Sequence, residues 1–187
     1  MNISTKILLI SIFSISSLNA SSLKEYYDDG KINYEYNLKD GKKDGTTIEY
    51  YKNGTIKARW HFKNGKLNGI STTYSDNGVK TAEINYINDI QEGITKKYNR
   101  YGSIKYELNY KDEKLNGISK EYDHGILKAK WSYKDGVKDG KSEVYFKSGK
   151  IQYLVNYKNG KLDGKVTEFL ENGIKRAEWN YKDGKVE

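Results

Sequence analysis

The chain has 187 residues and a formal net charge of +8, with 31% charged and 36% hydrophobic residues, no Cys and no Pro. Without Cys there can be no disulfide, thiolate metal site, Cys nucleophile or lipidated Cys, so stability has to come from packing and backbone pairing. The thin aliphatic content argues against a large compact core, but 18 Tyr, 4 Phe and 3 Trp exclude a disordered chain, and Tyr with 18 Gly favours strands and tight turns.

In chain order, the first element is a targeting segment. Lys6 precedes an apolar run from Ile7 to Leu18 that is diluted only by Ser, and no acid occurs before Glu25. A basic start, a short apolar core and a small-residue end at Ala20 describe a secretory signal peptide. The run of about 12 residues is well short of the roughly 20 that a spanning helix needs, which argues against a membrane anchor. Residues 1–20 are therefore expected to be removed, by cleavage after Ala20 or, as the second choice, after Ser22. The mature chain, with no transmembrane segment, is expected in the periplasm, at the outer membrane or outside the cell.

From residue 21 to 187 the chain is a tandem array. One set of glycines falls at Gly30, Gly54, Gly78, Gly102, Gly125, Gly149 and Gly173, and a second at Gly45, Gly69, Gly93, Gly117, Gly140 and Gly164. Tyr26, Tyr50, Tyr74, Tyr98, Tyr122, Tyr145 and Phe169 keep the same step. The period of about 24 residues marks seven copies of one supersecondary unit. Copy five is one residue short: Tyr122-Asp-His-Gly125 stands where copy two has Tyr50-Tyr-Lys-Asn-Gly54. That deletion lies in a turn, where a sheet tolerates it.

Each copy reads as a β-hairpin. After Gly54, Ile56, Ala58, Trp60 and Phe62 share one parity, while Lys57, Arg59 and His61 take the other. Such alternation predicts a strand with one buried and one wet face. Asn53-Gly54, Asp40-Gly41 and their equivalents supply the positive φ that hairpin turns need. The fold class is therefore all-β: an elongated, twisted antiparallel sheet of seven hairpins. Along one face Trp60, Phe62, Tyr110, Trp131, Tyr133, Tyr157, Trp179 and Tyr181 are expected to form an inward aromatic column.

The pattern Gly41-Lys-Lys-Asp-Gly45 leading to Tyr50 and Gly54, with Tyr157-Lys-Asn-Gly-Lys161-Leu-Asp-Gly164 later, resembles the bacterial variant of the MORN repeat. Within it the chain looks most like the YwqK-family antitoxins. The resemblance covers about residues 23–187 and implies a curved antiparallel sheet used for binding or scaffolding, with no catalytic residues to carry over. Asp89 and Glu113 replace the first turn glycine in two copies, so those turns are expected to be distorted.

Chemistry of other kinds finds little footing. Gly136-Val-Lys-Asp-Gly140-Lys141-Ser142 has three residues between its glycines, whereas a phosphate-binding loop has four and runs into a helix. His61 and His124 are far apart in sequence and no Gly-x-Ser-x-Gly elbow accompanies them, which argues against a zinc site or a Ser/His triad. The turn acids lack the spacing of a calcium loop. The expectation is a protein without enzymatic activity, cofactor or metal. Its best local basic clusters, Lys57/Arg59 and Lys128/Lys130, are placed on the outward face as the candidate binding surface. A protein partner, or an anionic envelope lipid or polysaccharide, fits that surface better than nucleic acid, because the rings that would stack on bases are assigned inward. The alternative is an antitoxin that neutralises a toxin by direct binding.

Overall fold

The computed structural model describes residues 22–187. The segment expected to serve as a signal peptide, residues 1–20, lies outside the described residues. Strands and turns account for the fold, and no helix occurs among the described residues. The chain forms two compact units, one ending at Asp89 and the other running from Ile90 to Glu187.

Both units are antiparallel meanders in which strands pair with their sequence neighbours. In the first, Leu23–Tyr26, Ile32–Tyr36, Gly45–Tyr50, Ile56–Lys63, Gly69–Tyr74 and Lys80–Ile87 follow one another across the sheet. In the second, the order is Gly93–Tyr98, Ile104–Lys111, Gly117–Asp123, Ile126–Lys134, Gly140–Tyr145, Ile151–Lys158, Gly164–Phe169 and Lys175–Lys182. The tandem-hairpin, all-β reading of the sequence is what the chain adopts.

Two kinds of turn alternate. The first turn of a copy is a three-residue loop: Tyr51 N donates to Thr55 O and Gly54 N to Tyr51 O. Only the glycine is left-handed there (Gly54, φ 86°), and Asn53 contributes through its side chain, which accepts from Thr55 N at 2.9 Å. The second turn is a two-residue loop with both central residues at positive φ, as in Asp40 (50°) and Gly41 (72°), the pattern of a type I′ turn. Copy five, one residue short, converts its first turn to this second kind, with His124 at 49° and Gly125 at 82°. Asp89 (74°) and Glu113 (63°) hold the same left-handed geometry as the glycines they replace, so the turns expected to be distorted are instead kept.

Those second turns also bind copy to copy. Gly65 N donates to Lys43 O, Asp89 N to Leu67 O, Glu113 N to Gln91 O and Gly160 N to Lys138 O. The acids before them cap the next turn: Asp44 accepts from Asn64 N at 3.1 Å and Asp139 from Asn159 N at 3.0 Å. Turn chemistry thus accounts for these carboxylates.

Burial departs from the expected aromatic core. The wholly buried side chains are small ones in mid-strand: Thr47, Ser71, Thr95, Ser119 and Ser142 are 0–2% exposed, and Ala58 and Ala129 are 1%. Thr47 lies opposite Trp60 and Ser119 opposite Trp131. Larger neighbours overlie the small residue and bury it without a second layer. The aromatics do share that face, but Trp60, Phe62, Tyr110, Trp131, Tyr133, Tyr157 and Tyr181 are only half-buried, and Trp179 is 37% exposed. They lie along a surface and do not fill an interior.

Candidate binding surface

Every copy carries one β-bulge, and it decides where the basic side chains go. In copy two the register runs Glu49 opposite Ala58 and then Tyr50 opposite Ile56, leaving Lys57 unpaired. In copy five Lys128 is the extra residue, and in copy seven Arg176. A bulge turns its extra side chain out of the strand's alternation. Lys57 Nζ lies 2.7 Å from Glu49 Oε1, while Trp60 Nε1 donates to Glu49 Oε2 at 3.0 Å. Lys128 and Trp131 share Glu121 in the same way, at 2.8 and 3.3 Å. Lys57 and Lys128 therefore belong to the aromatic face, which corrects the outward placement expected from strict alternation.

Arg59 and Lys130 do stand on the opposite face. Arg59 lies opposite Ile48 and Thr72, and Lys130 lies opposite Lys120 and Glu143. Lys130 Nζ is bonded to Glu143 at 3.1 Å. In each unit the two cations of the expected outward cluster stand on opposite faces of the sheet, and Lys57, Lys128 and Lys130 are already held in ion pairs.

The carboxylates that organise the aromatic face were not singled out in the sequence. Glu49, Glu121 and Glu168 hold equivalent places, and each lies directly opposite a Tyr of the preceding copy: Tyr34, Tyr106 and Tyr153. Tyr153 donates to Glu168 at 3.0 Å, and Arg176 approaches the same oxygen at 3.1 Å. Ala58 and Ala129 instead face Thr73 and Val144. Tyr thus precedes a Glu copy, whereas Ala58 and Ala129 meet Thr and Val. That correlation is legible in the sequence once strand pairing is known.

Electrostatics follows from this packing. Burial works to raise the pKa of Glu49, but hydrogen bonds from Lys57, Trp60 and Tyr34 outweigh it and leave the carboxyl below its ordinary value. Glu121 is lowered in the same way, burial being overcome by Lys128 and Trp131. Lys138 lies over the Trp131 ring at 3.3 Å from its centroid and over Tyr157 at 5.0 Å, and burial pushes its ammonium pKa down. In the first unit Lys43 lies over Tyr34, Tyr36 and Phe62 at 4.8–5.5 Å. Trp131 and Tyr157 meet edge to face with centroids 6.5 Å apart. Within each unit the aromatic face is a lattice of rings fixed by cations and carboxylates.

The remaining sequence candidates take ordinary places. A strand, Gly140–Tyr145, follows the loop resembling a phosphate site. His61 lies opposite Thr46, with its Nδ1 buried and unpartnered, and His124 sits in the shortened turn with Nδ1 2.8 Å from Asp123. No cluster of three His, Asp or Glu suited to a metal occurs among the described residues. Beside the shortened turn a groove of about 390 Å³ opens between Leu127, Tyr145 and Phe146, rimmed by Lys128 and Lys147.

Comparison with known proteins agrees with the repeat geometry. The family described as "MORN repeat variant" matches residues 22–40, 43–64, 67–88, 91–112, 138–159 and 162–183, and passes over the segment that holds the shortened turn. No curated protein matches the chain. Among solved structures, one titled "Crystal structure of GtfA/B complex bound to UDP and GlcNAc" is 17% identical with a TM-score of 0.26, covering 60% of this chain and 22% of that one. The chain thus spans less than a quarter of that protein's length.

Proposed function

The chain belongs to the MORN repeat variant family, and on that premise we propose that it is a non-enzymatic binding or scaffold module acting outside the cytosol. The observation that carries this reading is the half-buried aromatic face of each unit, its rings fixed by Glu49 and Lys43 in the first and by Glu121 and Lys138 in the second. Tyr, Trp and Arg are the side chains that concentrate at binding surfaces, and a surface ordered before the partner arrives has less entropy to lose on association. Equivalent positions repeated in successive copies suit an extended partner better than a small substrate. The export signal read from residues 1–20 supports an envelope protein as that partner.

Capture from an envelope fraction on the immobilised full chain tests this. The double variant Trp131→Ala with Tyr157→Ala should lose the captured protein while remaining folded by circular dichroism. Retention of the same protein by that variant contradicts binding through the aromatic face. Capture of a single protein whose toxicity is lost on binding would replace this reading with that of a YwqK-like antitoxin.

A further inference from the structure

The second turns carry an arrangement that works against stability. Lys39 is directly opposite Lys42, Lys63 opposite Lys66, Lys111 opposite Lys114, Lys158 opposite Lys161 and Lys182 opposite Lys185. All ten side chains are exposed. Like charges directly opposite across antiparallel strands are destabilising, so fold stability alone gives no reason to repeat the pair in five copies.

In the unit from Ile90 to Glu187 these turns form a continuous row. Gly136 N donates to Leu115 O, Gly160 N to Lys138 O and Gly184 N to Leu162 O, each at 2.8 Å, so every turn is tied to the one before it. Copy five contributes Lys134 opposite Val137. Carboxylates reduce the charge unevenly: Asp112 and Glu113 sit between the lysines of copy four, Asp135 follows Lys134 in copy five, Asp183 sits between Lys182 and Lys185, and Asp163 holds Lys182 at 3.1 Å. The pair Lys158/Lys161 flanks Asn159-Gly160 with no acid in the turn.

We propose that this row of lysine pairs is a docking ridge for an extended anionic polysaccharide. The inference rests on the binding-module reading and assigns that module a second surface and a partner class. Two strands per copy at roughly 4.8 Å place successive turns, each with at least one lysine, about 10 Å apart. A glycan with an acidic group on alternate sugars spaces its charges at a comparable distance, whereas each strand of duplex DNA carries a phosphate every ~3.4 Å. None of the four turns holds an aromatic ring on which a base could stack, and Val137 of copy five is the single aliphatic side chain among them, too little to enter a lipid surface.

The test is titration of the full chain with dextran sulfate, with unmodified dextran, a single-stranded oligonucleotide and anionic phospholipid vesicles in parallel. One variant changes Lys111, Lys114, Lys158 and Lys161 to Gln. A second changes Lys57, Arg59, Lys128 and Lys130 to Gln and so removes the same charge. Unfolding midpoints confirm that both are folded, and the first is expected to match or exceed the parent because it relieves like-charge pairs. The ridge variant should weaken dextran sulfate about tenfold or more at low salt, the face variant less than about threefold, and the difference should shrink as salt rises. Equal losses would reduce the effect to net charge and overturn the ridge. Tighter binding of oligonucleotide or vesicles than of dextran sulfate would overturn the polysaccharide. If the parent ignores dextran sulfate but still captures a protein through its aromatic face, this proposal falls and the binding-module reading stands.

Discussion

Copies two and five carry the same cluster on different turns. Copy two closes its first hairpin with a three-residue loop ending at Gly54, and copy five closes the equivalent hairpin with the two-residue loop His124-Gly125. Yet Glu49, Lys57 and Trp60 meet in one copy as Glu121, Lys128 and Trp131 meet in the other. What the two copies share is the bulge, at Glu49/Tyr50 and Glu121/Tyr122. The bulge, not the turn, brings the cation to the aromatic face, and the turn absorbs the missing residue.

The sharpest way to break this comparison is to remove the indole. Trp131→Ala should cost about 2–3 kcal/mol in urea unfolding, below the usual 3–5 for a fully buried Trp because one side of the ring is already wet. Trp179→Ala, where the ring is 37% exposed, should cost less than about 1.5 kcal/mol. Equal losses at the two sites would mean that the copies do not differ in burial as described.

The carboxylates come next. Because Glu49 and Glu121 are held below the ordinary carboxyl range, each stabilises the folded chain fully above the unfolded value of about 4.3 and less as pH falls through its folded value. Stability should fall on acidification below about pH 4.3, and Glu121→Gln should flatten that acid limb. At neutral pH the substitution should cost about 1–2 kcal/mol, since a charged acceptor serving Lys128 and Trp131 is lost.

Smaller effects probe the turns. Glu113 occupies a left-handed conformation at φ 63°, so Glu113→Gly should stabilise by about 0.5–1 kcal/mol, checked by the unfolding midpoint. Inserting one residue between Asp123 and His124, to restore the longer loop, should change stability by less than about 1 kcal/mol. It should also leave Trp131 fluorescence unchanged. A large change in that fluorescence would tie the cluster to the turn after all.

Much of this fold can be read from the sequence, for definite reasons. Glycine spacing exposes the repeat because left-handed turn positions select Gly, and period-two alternation exposes the strands. The face assignment fails at Lys57 and Lys128 because alternation assumes an unbroken ladder, and a bulge shifts parity without changing residue type. Alternation overestimates the aromatic core because it distinguishes two faces but does not say whether a second layer covers either one. The small buried residues Ser71 and Ser119 gave no hydrophobic signal, since their burial comes from neighbours on adjacent strands. The lysine pairs were in plain view in Tyr157-Lys-Asn-Gly-Lys161, but only the register shows that they lie opposite each other.

The most direct test of the bulge-built cluster is an acid titration of the Trp131 indole N–H resonance in the full chain. Its resonance should shift with a midpoint below the usual carboxyl value of about 4.3, as the Glu121 carboxylate that accepts its hydrogen bond takes up a proton. Glu121→Gln should abolish that shift. A Trp131 resonance that stays fixed through the titration, or that titrates unchanged in the Gln variant, would contradict the cluster and with it the placement of Lys128 on the aromatic face.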